Sequence, residues 1–477
     1  MLTGSAMGVV DENAAALGVP RKQLMESSGN AVAGAVRDLA DPGDSVTVVA
    51  GRGNNGGDAL VAARFLDDFD LRVLLLGRPE TITTDISREN WEALQRAEYP
   101  TEQVRDASAF DLRSPDLVVD AMLGTGIRGA LREPAATAAA AMNAGDATVL
   151  SVDVPSGLDA EDGTLAENAV APDHVVTFHD TKPGLPDLDA GVTVADIGIP
   201  DAAELFVERG DLQRLVRDPA SHKGDNGEVL VVGGGPYTGA PALSAQAALR
   251  AGADLVRVAC PSAVARELQS YSENLIVRPY DGERLEPAHV DRVASLAAEH
   301  DTLVLGPGLG DADATMDAVR ALLSRFDGTA VVDADALAVV PEVETDATLI
   351  CTPHQGELVG MGGETSDDWR ERADFVESFA ADLGQTLLVK GRYDVISDGE
   401  VTRVGRTGNA GMTVGGTGDV LAGATGALAC TQETRHAAAI AAYATGAAGD
   451  LVVEDRGFGL VATDLLDAIP TVLWGDQ

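Results

Sequence analysis

Twice along this chain, short runs of β-branched and aliphatic residues alternate with longer alanine-rich stretches, and that alternation leaves few folds open. In the first series VTVVA, LRVLLLG, DLVVD, ATVLSVD and HVVTF read as strands. In the second, EVLVVGGG, ADLVRVA, NLIVRPY, DTLVLGPG, GTAVVDADA, ATLICTPH and TLLVKG do the same, followed by the short strands YDVISDG and EVTRVGR and a long alanine-rich helical tail. Strands this apolar are buried on both faces, so each series predicts a parallel sheet covered by helices. The first forty-odd residues, including LGVPRKQLMESSGNAVAGAV, predict helices packed against the first sheet. Between the series, Ile199 to Asn226 carries no strand signal and ends in polar, glycine-containing sequence. The domain boundary is expected there, giving residues 1–214 and 215–477. No short-period repeat is present, so the halves read as different α/β domains in tandem.

Length agrees with this division, since 477 residues support two or three domains. The charge is lopsided: 76 acidic against 34 basic residues give a net charge of −42. Such a surface repels polyanions, which argues against nucleic-acid or anionic-membrane partners. Only four lysines occur, Lys22, Lys182, Lys223 and Lys390, a pattern expected of adaptation to high salt. Cys260, Cys351 and Cys430 are widely spaced in apolar runs and read as reduced core residues. No apolar run has membrane-spanning length and no signal peptide opens the chain, so a cytoplasmic location is expected.

The densest chemistry lies in NAGMTVGGTGDVLAG, residues 409–423. Gly415, Gly416 and Gly418 allow positive φ and close approach of backbone N–H groups to an anion, at the start of an apolar helix whose dipole favours negative charge. Asp419 sits where anions collect, so it either caps the helix or contacts a proton to be removed. In the first half, VTVVA runs into GRGNNGGDAL and a helical pattern, another anion-binding arrangement, though not the GxGxxG dinucleotide fingerprint. Asn54, Asn55 and Asp58 add side-chain oxygens suited to a hydroxylated ligand, a hard cation or a phosphate; asparagine and glycine also form ordinary turns. DLVVDAMLGTGIRGA and TVLSVDVPSGLDA place Asp120, Asp153 and Ser156 at the ends of later strands. Loops at the carboxyl ends of neighbouring parallel strands can converge on one site.

In this order and spacing, GRGNNGGD, VDAMLGTG and SVDVPSG resemble the NAD(P)H-hydrate epimerase domain, and LMESSGNA resembles its N-terminal helix, over residues 1–214. The resemblance implies a Rossmann-like α/β/α fold. It implies that Asn54, Asn55, Gly56, Gly57 and Asp58, together with Gly124, Thr125, Gly126, Ile127, Arg128, Gly129 and Ala130, hold the hydrate. By the same resemblance Asn55, Asp120 and Ser156 bind K+, and Asp153 contacts the damaged ring as acid/base. A carboxylate suits that task, because inverting a hydroxyl-bearing carbon beside nitrogen needs proton transfer. Ala59 stands where the family more often has glycine.

The ordered set HKGDNGEVLVVGGG, GPGLG, VVDADAL, TPHQGE, VKGRYDVI and GGTGD resembles the ADP/ATP-dependent NAD(P)H-hydrate dehydratase, of the ribokinase-like class, over residues 215–477. This implies a nucleotide site of Lys390, Gly391, Arg392, Tyr393, Asp394 and Gly418, with Gly310, His354 and Asp419 facing the hydrate. Asp419 would take the proton from the ring hydroxyl as it attacks the terminal phosphoryl group, and loss of phosphate would restore the nicotinamide. Lys390, backbone amides and Mg²⁺ would supply charge neutralisation. Tyr393 and Asp394 stand where a smaller residue and threonine are common, and NAGMTVGGTGD lacks a more usual proline and alanine. From the residues alone, His354 also fits a satisfied buried histidine, Lys390 a surface cation, and Asp333 and Asp335 helix caps more than catalysts.

The combined expectation is a bifunctional repair enzyme acting on NADHX and NADPHX with ADP or ATP, assembled as a homo-oligomer. The alternative is a ribokinase-like small-molecule kinase with a non-catalytic nucleotide-binding front domain.

Overall fold

Valine, isoleucine and leucine runs form strands where expected, because β-branched side chains fit a pleated surface buried on both faces. The computed structural model describes residues 1–126 and 129–475, in two compact units, Met1–Ala203 and Glu204 onward.

In the first unit β1 (Ser45–Ala50), β2 (Asp70–Leu76), β3 (Thr101–Val104), β4 (Leu117–Ala121), β5 (Thr148–Val152), β6 (His174–Phe178) and β7 (Gly191–Ala195) make one parallel sheet, ordered β3-β2-β1-β4-β5-β6-β7. Alternate residues feed opposite layers, as the period of a strand requires. Val46, Val48 and Ala50 join a core with α1 (Gly4–Ala16), α2 (Arg21–Leu39), α3 (Asn54–Ala63) and α4 (Asp85–Arg96), whereas Val49 joins α5 (Ala135–Ala144) on the other face. Strand order reverses between β1 and β4, so the loops after these strands and after β5 open into one crevice. The unit is Rossmann-like. Strands β3 and β7 escape the sequence reading because both are edges: in TEQV only Val104 is buried, and GVTVA is exposed along most of its length.

The second unit holds β8 (Glu228–Val232), β9 (Leu255–Pro261), β10 (Ile276–Tyr280), β11 (Thr302–Leu305), β12 (Thr329–Val332), β13 (Thr348–Cys351), β14 (Thr386–Val389), β15 (Asp394–Ser397) and β16 (Thr402–Gly405). Their order is β10-β9-β8-β11-β12-β13-β14-β15-β16, parallel as far as β14, with β15 and β16 antiparallel. Its helices are α6 (Ala202–Leu205, spanning the division), α7 (Gly239–Ala251), α8 (Ala265–Tyr271), α9 (Val290–Ala297), α10 (Asp313–Leu323), α11 (Gln355–Gly360), α12 (Trp369–Leu383), α13 (Thr417–Leu428), α14 (Thr434–Arg456) and α15 (Ala462–Trp474). Val231, Val304, Val331 and Ile350 face α7, α13 and α14, while Leu230, Leu303 and Val332 face α9 and α10. This is the ribokinase-like layering. Helix α13 lies so close to α7 that a Cβ on Gly423 would come 2.0 Å from the Ser244 carbonyl oxygen. Helix α14 is long and apolar enough to cross a membrane, but most of it is buried in the core of this unit.

The division at Ala203 falls ahead of the boundary expected at 214. The intervening segment packs on β16: Val207 N–H donates to the Val404 carbonyl at 3.0 Å, and the buried Arg403 guanidinium donates to Asp211 at 2.8 and 3.0 Å. Without apolar periodicity of its own, this segment is attached by two ion pairs, Arg403 to Asp211 and Arg406 to Glu208, that spacing cannot reveal.

Candidate active sites

In the first unit the glycines act by bringing loops together. A Cβ on Gly51 would lie 1.8 Å from the Met122 carbonyl oxygen and one on Gly56 2.2 Å from the Gly51 carbonyl oxygen, so the loops after β1 and β4 close on each other. Beneath them Asp120 is fully buried and accepts from Ser156 Oγ (2.6 Å), Ser156 N (2.8 Å) and Ser151 Oγ (2.8 Å). Burial still lifts its carboxyl above the usual range, opposed by these donors. Ser156 Oγ also accepts from Leu123 N, and Asn55 Nδ2 donates to the Leu123 carbonyl at 2.8 Å. The three residues expected at a cation therefore form one cluster, and Asn55 Oδ1 is buried in it with no hydrogen-bond partner.

Above lies a cavity of about 1120 Å³. Asn54, Asn55, Gly56 and Asp58 line it from α3, and Gly124, Thr125, Gly126 and Ala130 from the loop after β4. Gly57 instead turns toward Ser87 and Met25, Gly129 bends its loop at φ 78°, and Ala59 is buried in the core. Ile127 and Arg128 lie outside the described residues. Asp153 faces the cavity from the end of β5 at φ 61°, a left-handed conformation that costs a non-glycine residue about 1 kcal/mol or more. Its Oδ1 accepts from Thr177 Oγ1 at 3.0 Å and pairs with Lys182 Nζ at 3.0 Å. Lys182 is fully buried and also donates to the carbonyls of Phe178 (2.8 Å) and Asp180 (2.9 Å). Sequence reasoning assigned Lys182 no role, although its rarity and its place just past the strand HVVTF marked it as clearly as Lys390.

In the second unit β14 delivers Lys390 inward, correcting the surface-cation alternative. Its Nζ lies 2.9 Å from Asp333 Oδ1 and 3.8 Å from Glu357 Oε2. Asp333 is buried and accepts from Thr352 Oγ1 at 2.8 Å; it makes no side-chain cap, so the expectation of a helix cap is corrected as well. Asp419 lies in the first turn of α13, whose N-cap is Gly416 at φ 97°. It is therefore not the cap, and neither Gly415 nor Gly418 takes positive φ. Burial, with Asp333 and Glu357 nearby, pushes the Asp419 carboxyl up to about 7 against the pull of Lys390. Gly418 makes room for that lysine, since a Cβ there would be 3.3 Å from its Nζ.

The remaining expected positions sit around this cluster. Gly310, at φ 75°, follows β11, and His354 follows β13. The histidine is exposed and caps α11, its Nδ1 accepting from Glu357 N at 3.0 Å, so the buried-histidine alternative does not hold. Asp394 turns inward and accepts from Gly391 N at 2.8 Å, closing the KGRYD turn, and burial lifts its carboxyl to about 7. Arg392 is exposed, while Tyr393 stacks on Trp369 with ring centroids 5.3 Å apart. Glu357 is a site residue that TPHQGE contained but that was not singled out, and Asp333 is one that the sequence favoured as a cap.

Comparison with known proteins agrees with both halves. A family profile described as NAD(P)H-hydrate dehydratase matches residues 229–471, and one described as YjeF-related protein N-terminus matches residues 21–184. Along 98% of its length the chain is 42% identical to a bifunctional NAD(P)H-hydrate repair enzyme of Methanothermobacter thermautotrophicus, covering 94% of that protein. It is 43% identical to one of Pyrobaculum aerophilum, over 99% of this chain and 98% of that one. Among solved structures, the ADP/ATP-dependent NAD(P)H-hydrate dehydratase of Bacillus subtilis, co-crystallised with ATP and Mg²⁺, is 26% identical with a TM-score of 0.51, covering 57% of this chain and 98% of that one.

Proposed function

The chain belongs to the bifunctional NAD(P)H-hydrate repair enzymes, and from that premise we propose how its two sites divide the work. The first unit epimerises the R and S forms of NAD(P)H hydrate; the second dehydrates the S form to NAD(P)H at the expense of ADP or ATP. One observation carries the residue assignment: of four lysines, the two drawn inward each stand beside a carboxylate at a glycine loop, Lys182 at Asp153 and Lys390 near Asp419.

In the first cavity the loops Asn54–Asp58 and Gly124–Ala130 hold the hydrate, and the N-terminus of α3 faces its phosphates. Lys182 stands as the counter-charge at Asp153, which is placed to take a proton near the hydroxyl-bearing ring carbon. The partnerless, buried Asn55 Oδ1 fits a cation, so Asn55 would hold K+ with Asp120 and Ser156. Bound there, K+ supplies fixed positive charge beneath the substrate loops.

In the second site Lys390, Gly391, Arg392, Tyr393, Asp394 and Gly418 hold the nucleotide, and Gly310, His354 and Asp419 face the hydrate. Asp419 accepts the ring hydroxyl proton as that oxygen attacks the terminal phosphoryl group. Lys390 and the amides of the α13 N-terminus steady the transferred charge, and departure of phosphate restores the ring double bond. Asp333, Glu357 and Asp419 outnumber the single ammonium among them, which fits a further cation. No group of three His, Cys, Asp or Glu among the described residues converges to hold a metal unaided. Mg²⁺ would therefore be shared between nucleotide phosphates and these carboxylates, supplying charge neutralisation.

The test supplies separated R and S hydrates of NADH with ADP or ATP and follows recovery of NADH absorbance. Recovery from S directly, and from R after epimerisation, is the expected result. A stable phosphorylated product without restored cofactor would favour a kinase instead.

A further inference from the structure

One wall of the first cavity is a single face of α1, where Gly4, Met7, Gly8 and Asp11 recur at helical spacing and all line it. Asp11 is the one titratable group among them. The helix is fixed to the same end of the sheet that carries Lys182: Leu2 N donates to the Thr181 carbonyl at 2.9 Å, and Asn13 Nδ2 to the Ala203 carbonyl at 3.1 Å. Gly4 abuts Thr125 of the substrate loop, so α1 and that loop share one rim of the cavity.

Five acidic residues line the cavity; Asp85 and Glu133 are exposed, and the other three differ in their surroundings. Asp153 is paired to an ammonium and a hydroxyl. Asp58 shares a hydrogen bond with Ser28, and burial lifts its carboxyl well above the usual range. Asp11 has no ion pair within 4 Å among the described residues. The charged groups acting on it are Arg21, Asp153, Lys182 and His179, with Asp58 across the cavity, and burial together with Asp153 outweighs the cations to raise its carboxyl to about 6. A cavity that sets one carboxylate beside an ammonium and another apart from any ion pair, its carboxyl raised by burial, offers both a base and an acid.

Resting on the epimerase reading above, we propose that Asp11 is the second catalytic carboxyl group of epimerisation, acting from the α1 wall while Asp153 acts from the sheet. Asp11 gives its proton to the hydroxyl oxygen on the ring carbon. The C–O bond breaks with its electron pair on oxygen, water leaves, and the ring nitrogen lone pair closes a C=N bond. Water then adds to the opposite face of that carbon, the C=N pair returns to nitrogen, and Asp153 takes the proton released by that water. One proton passes back from Asp153 to Asp11 through solvent, and the enzyme is reset. In the reverse direction the two carboxyls exchange roles.

The full-length enzyme tests this with purified R hydrate, no nucleotide present, and R-to-S conversion followed by chromatography. Asp11→Asn is expected to lower kcat by about 10²-fold or more, with KM changed by less than about threefold. Wild-type activity should fall as pH rises above about 6, where Asp11 loses its proton, and Asp11→Asn should lack that limb. Asp11→Ala removes one carboxyl group and vacates a space the size of formate, so added formate should restore part of its rate in proportion to concentration. Circular dichroism and dehydration of pure S hydrate confirm that each variant is folded. An Asp11→Asn enzyme within about threefold of wild type overturns the proposal. So does a slow variant that keeps the alkaline limb while Asp11→Ala gains nothing from formate, because Asp11 would then only shape the wall. A wild-type chain that does not interconvert R and S overturns the epimerase reading itself.

Discussion

Asp419 shows how much one carboxyl depends on its neighbours. Its ordinary value is 3.8, and burial with Asp333 beside it brings it to about 7. As a base it works only when ionised, so dehydration should weaken as pH falls below about 7. Asp333→Asn removes a like charge and should shift that acid limb to lower pH, read from NADH recovery across a pH series. Asp419→Asn should abolish dehydration while R and S still interconvert; loss of both reactions would break the two-site assignment. In the first unit, Lys182→Met strips the counter-ion from Asp153 and should lower unfolding stability by about 3 kcal/mol or more, measured in urea. Asp153 was legible because it follows a strand and leads into a glycine turn, and Asp419 because it follows a glycine cluster at a helix start. Lys182 was not, because its ammonium reaches back from beyond β6 to a carboxylate after β5, and that proximity arises only from strand order. Asp11 was hidden differently, since a lone acid on a helix reads as solvated until the helix is seen to wall a cavity.

Among the elements, α13 carries both chemistry and packing. Gly423→Ala would set a methyl against the Ser244 carbonyl where no space exists, and overpacking of this kind costs about 1–3 kcal/mol. Gly415→Ala provides the contrast, with nothing within 4 Å of the added carbon and no positive φ to oppose it. Thermal unfolding should fall by several degrees for the first and hardly at all for the second. The strands buried on both faces were readable from their aliphatic runs, whereas β3 and β7, with one or both faces in water, gave no run to read. Helix α11 illustrates the same limit: six residues held by reciprocal hydrogen bonds between His354 and Glu357 leave little trace in hydrophobic pattern.

For the whole chain, the ion pair between Arg403 and Asp211 decides where the second unit begins. A fragment starting at Glu204 keeps the pair, while one starting at residue 215 leaves a buried guanidinium without its carboxylate. The shorter fragment should be less stable by about 3–5 kcal/mol, seen as a lower urea midpoint. The net charge of −42 opposes compaction, and screening relieves it, so the melting temperature should rise toward molar KCl; a flat response would count against salt adaptation.

The scarcity of lysine has a practical consequence. Lys182 is sealed inside the first unit, and Lys390 stays protonated because Asp333 and Glu357 outweigh the effect of its burial. Neither offers a free amine to an acylating reagent. Lys22 and Lys223 are exposed, one in each unit. Amine chemistry therefore finds one side-chain handle per catalytic unit, and a dye, tether or solid support attached there leaves both reaction centres unmodified.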